Sequence, residues 1–186
     1  ACNSNSSDDG GEVFTAADGT AFRAEVIVTG LEIPWSLAFT PDGRLFVTER
    51  PARVRIVQNG QLLETPALTL TDAWANGEAG VLGLAVDPAF ALNRFVYLLY
   101  TQDRGPLPPV NRLVRYRELN NTLAEAVVVF DDIPGALTHD GGRARFGPDG
   151  LLYVTMGDNR EASDAQDLAA FTGKIFRINT DGTTPS

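Results

Sequence analysis

One pattern occurs three times along this chain, and that repetition constrains the fold more than any single motif. The first copy reads WSLAFTPDGRLFVTER followed by ARVRIVQNG, from Trp35 to Gly60. The second reads GVLGLAVDPAF, RFVYLLYTQD and NRLVRYREL, from Gly80 to Leu119. The third reads GRARFGPDGLLYVTMGD and, after an insertion, GKIFRIN, from Gly142 to Asn179. Each copy holds a short apolar strand, a turn, a second strand rich in β-branched and aromatic residues, and a third strand mixing charged and apolar side chains. Pro41-Asp42-Gly43 and Pro148-Asp149-Gly150 predict tight hairpins, because Asp-Gly supplies the positive φ that such turns need. Arg53 to Val57 and Arg112 to Arg117 alternate in part with a period of two, one face inward and one in water. Only Ala162 to Phe171, inside the insertion, carries a hint of helix.

Antiparallel units of three or four strands, recurring roughly every 45 to 60 residues with no strand–helix alternation, predict an all-β fold of propeller type. A two-sheet sandwich needs long crossovers between sheets, which the strict repetition disfavours. About three blades are present, and three blades leave apolar faces and strand edges uncovered. The rest of the ring is therefore expected from further sequence or from a partner chain. Residues 21–186 are expected to form this part of the propeller, and residues 1–20 a flexible tether.

The tether carries the chain's one cysteine. Cys2 is followed by Asn3, a run of Ser, Asn and Asp, and Gly10-Gly11, too polar to pack. It reads as the start of a bacterial lipoprotein with its export signal removed and a lipid on Cys2. The expected location is periplasmic or extracellular, with membrane contact only through that lipid. A single cysteine excludes an internal disulfide. Fifteen Lys and Arg against 24 Asp and Glu give a net charge of −9, which argues against nucleic acid and fits a neutral substrate. No apolar run is long enough to span a bilayer as a helix.

His139 is the only histidine in the chain, in the string His139-Asp140-Gly141-Gly142-Arg143. Among side chains, imidazole is best placed to take a proton at neutral pH, and the two glycines allow close approach of backbone or ligand. His139 precedes the first strand of a blade, where connections surround the propeller axis. A hairpin turning at Asp149-Gly150 brings Asp158 back to the same end, where its carboxylate can hold the ring and stabilise its protonated form. On the pattern alone, an ordinary loop histidine and a turn-capping aspartate stand equally open. Trp35 and Trp74 read as packing residues, and Arg145, Lys174 and Arg177 as strand charges.

HDGGRARFGPDGLLYVTMGD, with AQDL at 165–168, GKIFRINTDG at 173–182, IPWSLAFTPDGRLFVTERPARVRIV and NGEAGVLGLAVDPAF, resembles the pyrroloquinoline quinone (PQQ) dependent glucose, aldose and sorbosone dehydrogenases. The resemblance runs from about Leu31 to the end of the chain. It implies a six-bladed ring and oxidation of the anomeric hydroxyl of an aldose to a lactone, with hydride passing to PQQ and electrons then to an external acceptor. It implies His139 as catalytic base and Asp158 as its orienting partner. It places Glu78 where the glucose enzymes carry a cofactor-touching glutamine, a substitution that marks the aldose type, while a surface carboxylate in a Gly-rich loop stands equally open; Arg143, alternating with Arg145 on a strand, is a candidate to reach the anionic cofactor. A carboxylate beside a polyanion costs binding unless it is neutral or faces a donor. The cations for the PQQ carboxylates, and calcium near the cofactor, are expected from the missing half of the ring, and no metal site is expected in this one. Two other functions fit the fold: a non-catalytic surface propeller lipoprotein binding a glycan or protein partner, and a calcium-dependent lactonase.

Overall fold

The computed structural model describes residues 12–186. Two units make up the chain, residues 1–30 and Leu31–Ser186. The first contains a hairpin of β1 (Val13–Thr15) and β2 (Ala21–Arg23), with Phe14 stacked on Phe22. The expected tether boundary at residue 20 therefore falls inside a hairpin, because the alternating Val-Phe-Thr and Ala-Phe-Arg segments pair across the Asp18-Gly19 turn. Cys2 and the rest of residues 1–11 lie outside the described residues.

The larger unit is three successive antiparallel sheets, the blades of a β-propeller. The first comprises β3 (Pro34–Phe39), β4 (Leu45–Glu49) and β5 (Arg53–Gln58), with the short β6 (Gln61–Leu62) and β7 (Leu68–Thr69) both pairing with β5. The second comprises β8 (Val81–Val86), β9 (Phe95–Arg104), β10 (Leu107–Leu119) and β11 (Thr122–Pro134), with one helical turn, α1 (Phe90–Asn93), between β8 and β9. The third comprises β12 (Gly141–Phe146), β13 (Leu152–Met156) and β14 (Ile175–Ile178). The helical hint in the insertion is a single 3₁₀ turn at Ala162–Gln166. Among the described residues no helix is long and apolar enough to cross a membrane.

Strand β9 shows how the sequence builds this stack. Its alternate side chains point to opposite faces. Val96, Leu98 and Tyr100 join Phe46, Val54 and Ile56 in the core between the first and second blades. Tyr97 and Leu99 join Ala144, Leu152 and Val154 in the core between the second and third. Both faces are covered, so the strand reads as the continuous apolar run FVYLLY rather than as an alternation. Leu98 and Leu99 are fully buried, each worth about 1.5–3 kcal/mol of transfer free energy. At the turn end of the blades, buried Arg44 bonds Glu118 of β10 at 2.8 Å and Asp42 at 2.7 Å, tying the first blade to the second. Arg44 holds both carboxyls below their ordinary range.

A repeated irregularity shapes the opposite end. In each blade the inner strand carries one residue more than its partner: between Pro34 and Ser36, between Val81 and Leu84, and between Gly141 and Arg143. Beyond each bulge the chain closes with the same bond: Arg50 N–H to Ile33, Thr101 N–H to Gly80 and Gly157 N–H to Asp140. Bulges re-aim the residues that follow them, and these three point at one end of the stack.

Candidate active site

The third bulge decides which side chains meet. Within the ladder Arg143 pairs with Thr155, whereas beyond the extra residue Gly141 pairs with Met156. Continuing outward sets Asp140 opposite Gly157 and His139 opposite Asp158; without the bulge, Asp158 would face Asp140. The extra residue is Gly142, at φ 104°, a backbone state in which side chains are strained. That is the physical use of the glycine pair in HDGGR.

His139 Nδ1 and Asp158 Oδ1 lie 2.9 Å apart. The imidazole is 57% exposed, so it meets both the carboxylate and the solvent-filled space beside it. His139, through this hydrogen bond, is the main cause of a lowered Asp158 pKa, and the Arg160 N–H adds to it. Asp158 is therefore anionic at neutral pH. A backbone cage fixes the pair. Asn159 N–H donates to the His139 carbonyl at 3.1 Å, and Gly157 lies against that carbonyl so closely that a Cβ there would come within 1.7 Å of the oxygen. His139 itself sits at φ 58°, held by its surroundings against its own preference.

An open cavity of about 490 Å³ adjoins the pair, lined by His139, Thr155, Met156, Gly157, Asp158 and Lys174, among others. Lys174 is the cation of this lining, and its Nζ donates to the carbonyls of Thr172, at 2.9 Å, and Asp164. It lies just before β14 rather than on a strand face, so the reading of Lys174 as a strand charge is corrected.

The other expected site residues lie elsewhere. Glu78 Oε2 accepts the backbone N–H of His139 at 2.7 Å, and the Glu78 N–H donates to Leu137 at 2.8 Å. Its carboxylate is tied to the loop that presents His139 and is not part of the cavity lining. The donor that a carboxylate needs here is a peptide N–H. Arg50 reinforces the arrangement by bonding the carbonyls of Gly77 and Ala79, on either side of Glu78. Arg143 Nη1 donates to Trp35 O at 2.8 Å in a separate cavity of about 430 Å³, shared with Leu37, Val47 and Arg145. Arg145 reaches Leu84 O at 2.6 Å, so both arginines bridge inner strands. Among the described residues no group of three or more His, Cys, Asp or Glu gathers to hold a metal.

Sequence reasoning missed three buried polar residues behind the loop: Thr101, Asn111 and Asp140. Thr101 and Asn111 are cross-strand partners on β9 and β10, and both bond Asp140. The available signal was an uncharged polar residue interrupting the apolar runs LLYTQ and PVNRLV.

The residues beside His139 are of a chemistry that fits one side of a quinone cofactor: an exposed imidazole, the Met156 side chain and one ammonium. The described residues do not supply a full set of cations for a polyanion.

Comparison with known proteins agrees with this fold. Residues 31–186 match the family model described as Glucose / Sorbosone dehydrogenase. The chain is 34% identical to the aldose sugar dehydrogenase YliI of Escherichia coli K12, over 88% of this chain and 45% of that protein. A Thermus thermophilus protein proposed to be a glucose-dehydrogenase-type oxidoreductase superposes with a TM-score of 0.80 at 43% identity, covering 87% of this chain and 49% of that one. The PQQ-bound aldose sugar dehydrogenase of Streptomyces coelicolor superposes with a TM-score of 0.74 at 34% identity, covering 84% and 47%. The chain thus spans about half the length of the relatives it matches. With three propeller blades, a histidine–aspartate pair at their bulged end and a family match over 156 consecutive residues, the chain belongs to the glucose/sorbosone dehydrogenase family.

Proposed function

We propose that this chain supplies the catalytic base of a PQQ-dependent aldose dehydrogenase that oxidises the anomeric hydroxyl of a sugar to a lactone. The observation that carries the reading is the 2.9 Å approach of His139 Nδ1 to Asp158 Oδ1, with the imidazole otherwise open to the cavity. The anionic Asp158 favours a proton on Nδ1, which leaves Nε2 as the acceptor facing the cavity. Nε2 removes the proton of the anomeric hydroxyl, and the C1 hydrogen leaves with its electron pair, so that C1=O forms. Asp158 stabilises the imidazolium that results. When bound, PQQ supplies the quinone that takes this hydride. Met156 and Lys174, which line the cavity, would help to hold it, and the remaining cations, with calcium, would come from the part of the ring beyond this chain. Turnover would then need an external acceptor for the two electrons released.

Sequence supports a place outside the cytoplasm, with Cys2 carrying a lipid. Purified native protein, reconstituted with PQQ and calcium and given an aldose and an artificial electron acceptor, is expected to form lactone and reduce the acceptor, and the apoprotein to do neither. Binding of PQQ without sugar oxidation, or no PQQ binding, would favour the non-catalytic surface propeller.

A further inference from the structure

Behind His139, the buried polar cluster of Asp140, Thr101 and Asn111 contains one hydrogen too few if every acid is ionised. Thr101 Oγ1 lies 2.7 Å from Asn111 Oδ1 and 2.7 Å from Asp140 Oδ2. Asn111 Nδ2 donates to Asp140 Oδ1 at 2.7 Å, and Ala136 N–H donates to the same oxygen at 3.0 Å. The threonine has one hydroxyl proton for two oxygen–oxygen contacts. Turning the Asn111 amide over moves the deficit without removing it. The amide then donates to Thr101 and Thr101 to Asp140 Oδ2, but Asn111 Oδ1 would face Asp140 Oδ1 with no proton between them. All three side chains are fully buried, and the paired atoms meet directly at 2.7 Å, which leaves no room for a bridging water.

We propose that Asp140 is a neutral carboxylic acid in the native protein, and that in this form it is a positioning residue that anchors the His139 loop to the second blade. Its proton closes the cluster: Asp140 donates to Thr101, Thr101 to Asn111, and Asn111 back to Asp140. Burial acts in the same direction, raising the Asp140 pKa, and Glu78 is the charged group whose field adds to it. Neutrality also keeps a third negative charge away from Asp158 and Glu78. The bond from Ala136 N–H to Asp140 closes the short loop that carries Leu137, Thr138 and His139, which is how the residue acts on the base. Only this positional role rests on the reading of His139 as base; the protonation stands apart from it.

An asparagine reproduces the acid's pattern, accepting from Ala136 and Asn111 and donating to Thr101. In wild type, the unfolded chain gives up the Asp140 proton above about pH 4 while the folded chain keeps it, so this residue lowers stability as pH rises. Asp140→Asn has no such proton. Its urea midpoint is expected to move above that of wild type as pH is raised from about 4 to 7, and a protonated-carboxyl C=O stretch in the wild-type infrared spectrum is expected to vanish in the variant. In the PQQ-loaded enzyme, Asp140→Ala is expected to lower kcat more than tenfold with a smaller change in PQQ affinity, and Asp140→Asn to recover most of that loss. If Asp140→Ala does not fold, the stability and infrared comparisons decide alone. A midpoint for Asp140→Asn that falls below wild type as pH rises, or an infrared difference showing a carboxylate, would overturn the protonation. Unchanged kcat in Asp140→Ala would overturn the positional role and leave the assignment of His139 untouched.

Discussion

His139→Ala is expected to lower kcat for aldose oxidation by about a hundredfold to ten-thousandfold, the usual contribution of a positioned general base. The side chain is more than half exposed and packs into neither core, so its removal costs little stability. The affinity for PQQ is expected to change far less than turnover, because in the proposed mechanism the imidazole acts on the hydroxyl proton of the sugar. Stopped-flow measurement of cofactor reduction by glucose, beside a fluorescence titration of PQQ binding, separates the two quantities. Cofactor reduction at the wild-type rate in His139→Ala would remove the base from the mechanism.

Gly157→Ala is expected to be nearly as damaging, although it adds one methyl group. That group would sit 1.7 Å from the His139 carbonyl oxygen and 2.5 Å from its carbon, and both are backbone atoms with no rotamer to yield. The loop must move, and the His139–Asp158 contact moves with it. Overpacking of this kind costs about 1–3 kcal/mol, and a displacement near 1 Å at a catalytic group costs about a hundredfold in rate. Urea denaturation and steady-state kinetics on the same preparation test both. A variant with wild-type turnover would mean that the cage around His139 is not what holds the base.

The blades were legible because their signals are local. Two Pro-Asp-Gly turns and three copies of one strand pattern lie within short windows of sequence, and period-two arguments need nothing more. Strand β11 was not, since TLAEAVVVFDDIP has no counterpart in the other two copies and its pairing with β10 passes through several register shifts. The His139–Asp158 pair was legible in outline from the hairpin. The bulge at Gly142 that brings those two residues face to face was not, because a one-residue register change leaves no mark beyond a glycine. Glu78 and Arg143 show the limit of reading charge from sequence. One carboxylate accepts a peptide N–H 61 positions away, and one guanidinium caps a carbonyl 108 positions away. Neither partner is a motif. Asp140 was passed over for the same reason, since a buried acid and a surface acid look alike until Thr101 and Asn111 are seen beside it.

The central claim is that Asp158 holds His139 with its proton on Nδ1, leaving Nε2 free to take a proton from the substrate. His139 is the one histidine of residues 1–186, and ¹⁵N-histidine labelling, with its resonances identified by their loss in His139→Ala, reads the two ring nitrogens. At a pH where the ring is neutral, the account predicts a protonated, pyrrole-type shift for Nδ1 and an unprotonated, pyridine-type shift for Nε2. The reverse assignment, with the proton on Nε2 and the lone pair turned towards Asp158, would contradict it.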